Sequence, residues 1–295
     1  MRNLTLVSTL ALALTLSVPA WSADIAAPDL CAVSGINGKI AAQGGVWDAD
    51  NYSNDELFQG IGSLSLPLGC MFGLQVDAGA GEFGDASALG AGGHLFYRDP
   101  TSYLLGVHAT YEDWSFDAPA LDVTSWKVGA EGELYLGNIS LEAWAGVEDT
   151  NRTSTDFFGK FTAAIYATDD LRLSAGIRHA NDFTSGVIGA EWQVPDTPLS
   201  FTAEGQLGED DFRSVAIGAK FYFGGTQKSL IDRHRQDDPE DGLFDFLGSA
   251  ASVGCQPVNS SGSDDEVLSA LADGIITDGV VSSTCGAPPQ MLPEQ

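Results

Sequence analysis

Positive charge is what this chain most lacks: 13 Lys and Arg stand against 41 Asp and Glu, for a net charge of −28. A nucleic-acid partner is excluded on that ground, because phosphate binding needs a basic surface. Long apolar runs are scarce too. Beyond the first stretch, no segment approaches the roughly 20 apolar residues of a spanning helix, so any membrane insertion has to use strands. Histidine and cysteine number only 4 each, with no Cys-x-x-Cys pair and no clustered histidines, and no metal site is expected from them. The chain also lacks a Gly-x-Ser-x-Gly elbow and a His-Glu-x-x-His helix. No catalytic residue, no cofactor and no enzymatic activity are therefore expected.

What is present begins with an export signal. Arg2, an apolar run over residues 4–18 and the small residues around Val18-Pro19-Ala20 read as a signal peptide over residues 1–20, with an alternative cut after Ala23. An exported chain meets an oxidising compartment, so the four Cys read as two disulfides with three connectivities to choose from. The hydrophobic fraction of 44% and the 35 Gly fit a packed or lipid-facing fold rather than disorder.

Residues 31–225 then carry about twelve short segments that alternate apolar and polar side chains, the period of a strand with one apolar face. Trp126, Val128, Ala130, Leu134 and Leu136 share one face, with Lys127, Glu131, Glu133 and Tyr135 on the other. The pattern repeats in Ile139, Leu141, Ala143, Ala145 and Val147 against Glu142 and Glu148, and in Val215, Ile217, Ala219, Phe221 and Phe223 against Lys220 and Tyr222. A helix would scramble these faces. Tight turns are signalled at Gly69-Cys70, Asp99-Pro100-Thr101, Gly137-Asn138, Asp169-Asp170 and Pro195-Asp196-Thr197-Pro198. The intervening links, around residues 48–56, 113–122, 148–156 and 209–211, read as longer and more acidic. Short turns on one rim and longer loops on the other are the asymmetry of an outer-membrane barrel with both ends in the periplasm. Cys31, before the first strand, and Cys70, after the second, fall on the same rim, so a Cys31–Cys70 disulfide is expected, leaving Cys255 with Cys285 to staple the tail.

Three motifs, Val33-Ser34-Gly35-Ile36-Asn37-Gly38-Lys39, Gly93-His94-Leu95-Phe96-Tyr97-Arg98-Asp99-Pro100 and Phe221-Tyr222-Phe223-Gly224-Gly225 with Lys228-Ser229-Leu230-Ile231-Asp232-Arg233-His234-Arg235 after it, together resemble a group of porin-like barrel proteins of alphaproteobacteria. The likeness covers about residues 31–241 and implies fold and location; its motifs carry no known catalytic residues. The chain departs from typical outer-membrane barrels by continuing well past its last strand.

The inward face is where chemistry is expected. Its candidate lining is Lys39, Asp77, His94, Arg98, His108 and Glu112 in the first half, and Lys127, Glu131, Glu133, Glu142, Lys160, Arg172, Arg178, Glu191, Glu204 and Lys220 in the second. About twelve strands falls between filled barrels of about eight and open porins of about 16, which implies a narrow or partly blocked lumen. Mixed charges there either pair and fill the barrel or shape a path for ions. Register sharpens the second reading. A two-residue Gly137-Asn138 hairpin sets Glu133 opposite Glu142, a repulsion that needs a cation or a proton, and a three-residue loop over residues 168–170 sets Lys160 opposite Arg178. His179 and His234 read as solvated. The run with Asp48, Asp50, Asp55 and Glu56 misses the calcium-loop pattern at Tyr52 and Ser53 and reads as a solvated loop.

Residues 226–295 read as an acidic periplasmic tail. A charge switch from Arg233-His234-Arg235 to Asp237-Asp238-Pro239-Glu240-Asp241 precedes a short amphipathic run over residues 242–251, and Ser263-Asp264-Asp265-Glu266 is a capping box opening a helix to about Ile276. The expected whole is an all-β, antiparallel up-and-down barrel of about twelve strands with a small, partly helical C-terminal tail. It would sit in the cell outer membrane as a narrow porin-like channel for small solutes or cations, or as a structural envelope protein. Outer-membrane lipid and the barrel assembly machinery are its expected partners. The competing class is a soluble secreted β-barrel or sandwich that binds a ligand or a surface partner. The two differ in whether Tyr97, Tyr111, Trp126, Trp192, Phe221 and Phe223 face outward.

Overall fold

The computed structural model describes residues 31–49, 52–84, 86–116, 122–224 and 227–254, together with three two-residue strands near the C-terminus. The signal peptide, Cys255, Cys285 and the expected helix over residues 263–276 lie outside the described residues. Twelve strands are formed: β1 Asn37–Ala49, β2 Tyr52–Leu68, β3 Phe72–Phe83, β4 Ala86–Asp99, β5 Tyr103–Phe116, β6 Val123–Leu136, β7 Ile139–Thr150, β8 Asp156–Thr168, β9 Leu171–Ala180, β10 Phe183–Gln193, β11 Leu199–Gly208 and β12 Arg213–Gly224. Each pairs antiparallel with its chain neighbours, and β12 pairs with β1 from Asn37↔Gly224 to Asp48↔Arg213, closing the barrel. Closure leaves no unpaired edge, the condition for strands in a membrane.

The two ends of the barrel, Asn37 and Gly224, lie on one rim, here called proximal, with the turns β2–β3, β4–β5, β6–β7, β8–β9 and β10–β11. Cys31 and Cys70 are joined there in a disulfide. The contrast in loop length is weaker than the sequence suggests. β1 runs on to Ala49, β5 to Phe116 and β7 to Thr150, so the acidic segments around residues 48, 113 and 148 each begin within a strand. Asp48 tolerates this because Arg213 pairs with it across the β1–β12 register.

The alternation sorts faces as expected. Large apolar side chains stand outward around the whole wall, among them Leu89 at 66%, Leu207 at 71% and Ile217 at 69% exposure. Phe72 and Tyr97 meet edge to face at 5.3 Å, and Trp192 stacks on Phe201 at 6.2 Å, on the proximal half of the outer surface. Tyr111 and Trp126 face each other on the distal half and are both outward. Phe221 and Phe223 are outward too.

Two short helices follow the barrel, α1 over Leu230–Gln236 and α2 over Leu247–Gly254. Ser229 caps α1 by accepting from the Asp232 N–H. This stretch, the first part of the tail expected over residues 226–295, does not hang free of the barrel. Over residues 237–250 the chain lies inside the barrel, because the inward face is lined with basic side chains that its carboxylates neutralise and with aromatic ones that its apolar residues cover.

Candidate functional site

The segment that enters the barrel can be followed contact by contact. α1 lies across the proximal rim, where the Leu230 N–H donates to Asp170 Oδ1 at 3.2 Å and the Ile231 N–H to the Asp169 carbonyl at 3.0 Å. Arg235 donates to the carbonyls of Gly137 and Ile139 at 2.8 and 2.9 Å, so the helix bridges the β8–β9 and β6–β7 turns. Gln236 reaches the Cys31 carbonyl at 3.0 Å, and Asp237 accepts from the Ser34 N–H and hydroxyl at 2.9 and 2.8 Å. His234 is not solvated as expected. It is held between the Tyr166 and Tyr222 hydroxyls at 2.9 and 3.3 Å. Its burial pushes its pKa below the ordinary 6.5 against the pull of Glu191.

Past Asp237 the chain turns into the lumen. Lys39, 2% exposed, is bound by Asp238 at 2.7 Å and Asp241 at 3.1 Å. Lys160 is bound by Glu240 at 2.6 Å and Asp245 at 2.7 Å, with its ammonium 3.9 Å above the Trp144 ring. Arg172 and Arg178 complete the basic wall, reaching Glu240 at 3.3 Å and Asp245 at 3.4 Å. Gly242 has φ of +67° and lies so close to Trp144 that an added Cβ would stand 2.2 Å from the ring.

Further along, the Phe244 N–H donates to Glu112 at 3.0 Å and its ring meets Phe83 at 5.7 Å and Trp114 at 5.7 Å. Gly79 makes room for that ring, since a Cβ there would be 2.9 Å from it. Phe246 meets Phe158 edge to face at 6.0 Å, and Lys127 lies 5.1 Å above the Phe246 ring. Leu243, Phe244 and Leu247 join Trp47, Leu57, Phe183 and Phe212 in one apolar cluster under the distal rim. Burying Leu243, Phe244, Phe246 and Leu247 is worth about 1.5–3 kcal/mol each before the chain's ordering entropy is counted.

The remaining predicted lining residues pair with one another on the inward wall. His94 sits between Asp77 at 3.2 Å and Glu131 at 2.7 Å, and the His108 ring lies tilted against Trp144 with centroids 4.1 Å apart. Glu191 binds Lys220 at 2.7 Å and accepts from the Tyr222 hydroxyl at 2.8 Å, while Glu204 binds Arg178 at 3.0 Å. Glu133 does oppose Glu142, and Lys160 opposes Arg178. The second register arises from a two-residue turn with an irregularity between Tyr166 and Thr168 instead of a three-residue loop. The acidic pair does not wait for an outside cation. Arg172 binds Glu142 at 2.7 Å, the Tyr135 hydroxyl donates to Glu133 at 2.6 Å, and Arg98 stands 3.8 Å from Glu133.

Sequence reasoning missed the carboxylates that matter most: Asp238, Glu240, Asp241 and Asp245. Their signal was the acidic run followed by Leu243, Phe244, Phe246 and Leu247, apolar residues that needed a cover. Beside the inserted chain a cavity of about 180 Å³ remains, bordered by Gln43, Gln59, Thr202, Glu204 and Lys220. Small-molecule sites start at roughly 300 Å³.

Neither a protein-family model nor a curated protein matches this sequence. Among solved structures, the chain is similar to the KdgM porin, with 8% identity and a TM-score of 0.48 over 63% of this chain and 99% of that one. It is similar to an outer-membrane channel from Pseudomonas putida F1, with 11% identity and a TM-score of 0.47 over 68% and 100% of the two chains. It is also similar to outer membrane phospholipase A from Escherichia coli, with 13% identity and a TM-score of 0.44 over 63% and 96%. The last of these corrects the expectation that the chain is no enzyme: a phospholipase stands among the similar barrels, so the exclusion is withdrawn.

Proposed function

We propose that the chain is an outer-membrane barrel that works as a narrow porin-like channel, closed at rest by its own C-terminal segment. The observation that carries the membrane part is the outward apolar wall. Residues such as Leu89, Leu105, Ile188, Leu207 and Ile217 would each face water in a soluble barrel, and apolar exposure on that scale is what a hydrocarbon surrounding stabilises. The outward Tyr111, Trp126, Trp192, Phe221 and Phe223 favour this over the soluble reading. Outer-membrane lipid and the assembly machinery are then its partners, and the barrel ends face the periplasm.

Closure follows from the contacts of residues 237–250. The space left beside them suits water and small ions better than a solute, so passage of anything larger requires the segment to move. Small solutes or cations are the proposed cargo, the preference for cations coming from the acidic surface of the chain. Purified protein is tested by heat-modifiable gel mobility and by reconstitution into a planar bilayer. Insertion with small, infrequent conductance steps supports the reading. A protein that stays in solution without detergent and never inserts overturns it.

A further inference from the structure

We infer that residues 237–250 thread the chain through the barrel's own lumen and so deliver its C-terminus to the cell surface. The inference rests on the outer-membrane reading above. Its basis is the order of the contacts. Asp237 is fixed at the proximal rim by Ser34, Asp238 by Lys39 just inside β1, and Phe244 by Glu112 in the distal half of β5. Asn181, in the β9–β10 turn on the distal rim, donates to Ser249 at 3.2 Å. Sequence number and depth rise together, so the chain crosses the barrel once, from the rim that holds its ends to the opposite one.

A return is barred by the same contacts. Crossing the barrel takes roughly ten residues of extended chain. The cavity beside the first passage, about 180 Å³, is smaller than a site for one small ligand, roughly 300 Å³. α2 also packs its Gly248 against Phe183 and Phe212 at the distal mouth, which closes the opening behind it. The seat is specific to this segment: Lys39 and Lys160 each meet two of its carboxylates. The chain therefore leaves the barrel at α2, on the distal side. The barrel is then both a gate and the route by which its own C-terminus is presented outside the cell.

Three versions of the full chain test this in intact Gram-negative cells, each checked for folding by heat-modifiable mobility. One carries an epitope after Gln295, one within the distal 117–121 connection and one at Asp196 in the proximal β10–β11 turn. Antibody binding to the C-terminal and distal epitopes on intact cells, with the Asp196 epitope reached only after the outer membrane is permeabilised, is the expected result. Binding to the distal epitope but not to the C-terminal one overturns the threading and leaves the barrel reading intact. Exposure of the Asp196 epitope, or of none of the three, overturns the membrane orientation and the inference with it.

Discussion

Replacing Glu240 by Gln and Asp245 by Asn keeps the size of the inserted chain and removes its hold on the basic wall. The wild-type carboxylates make four contacts, to Lys160 at 2.6 and 2.7 Å, to Arg172 at 3.3 Å and to Arg178 at 3.4 Å. A dry pair broken on one side costs about 3–5 kcal/mol. Glu240 is 37% and Asp245 21% exposed to the residual cavity, so water screens both, and about 1–2 kcal/mol each is the better figure. Both lean on Lys160, which makes the two losses less than additive. A total near 3 kcal/mol shifts the inserted-to-released equilibrium about 100-fold, at roughly 1.4 kcal/mol per factor of ten. Planar-bilayer recording reads this directly. Open probability is expected to rise by about that factor, with Lys160 released while Arg172 and Arg178 keep their wall partners Glu142 and Glu204. Unchanged open probability refutes the assignment of these carboxylates as the latch.

Gly242→Leu places a side chain where Trp144 stands, and is expected to expel the inserted segment, measured as cleavage near residue 240 by a protease that leaves the wild type intact. Acidification loosens α1. The folded His234 pKa lies below 6.5, so its contribution is complete above the unfolded value and is lost as the pH falls. Open probability should therefore rise as the pH falls below about 6.5, and His234→Gln should flatten that rise. Reducing the Cys31–Cys70 bond, which spans a sequence separation of 39, costs about 4 kcal/mol by chain entropy, expected as a lower melting temperature of the heat-modifiable band.

Strand number and facing were legible because period-two alternation is a local property: Trp126 outward and Lys127 inward follow from adjacency alone. Register was legible at Gly137-Asn138 because a two-residue turn determines its own pairing. The inserted segment was not legible, since its partners lie far away in sequence. Glu240 lies 80 positions from Lys160, and Phe244 lies 132 from Glu112. His234 looked solvated for the same reason, its neighbours Tyr166 and Tyr222 coming from the barrel wall. The apolar distal cluster escaped notice because Trp47 and Trp114 border acidic stretches that read as loops and begin within strands.

Threading is tested most directly by joining the inserted chain to one rim or the other. A full-length Asn181→Cys/Ser249→Cys variant places two thiols where the wild-type side chains touch at 3.2 Å, on the distal rim. An Asp170→Cys/Ser249→Cys variant pairs the same position with the proximal rim. Mild oxidation of each in membranes, followed by mass spectrometry of the joined peptides, is expected to give the 181–249 cross-link in high yield and none between 170 and 249. A 170–249 cross-link in its place would mean that the segment stays on the side where it starts, and the account of a self-threaded barrel would be wrong.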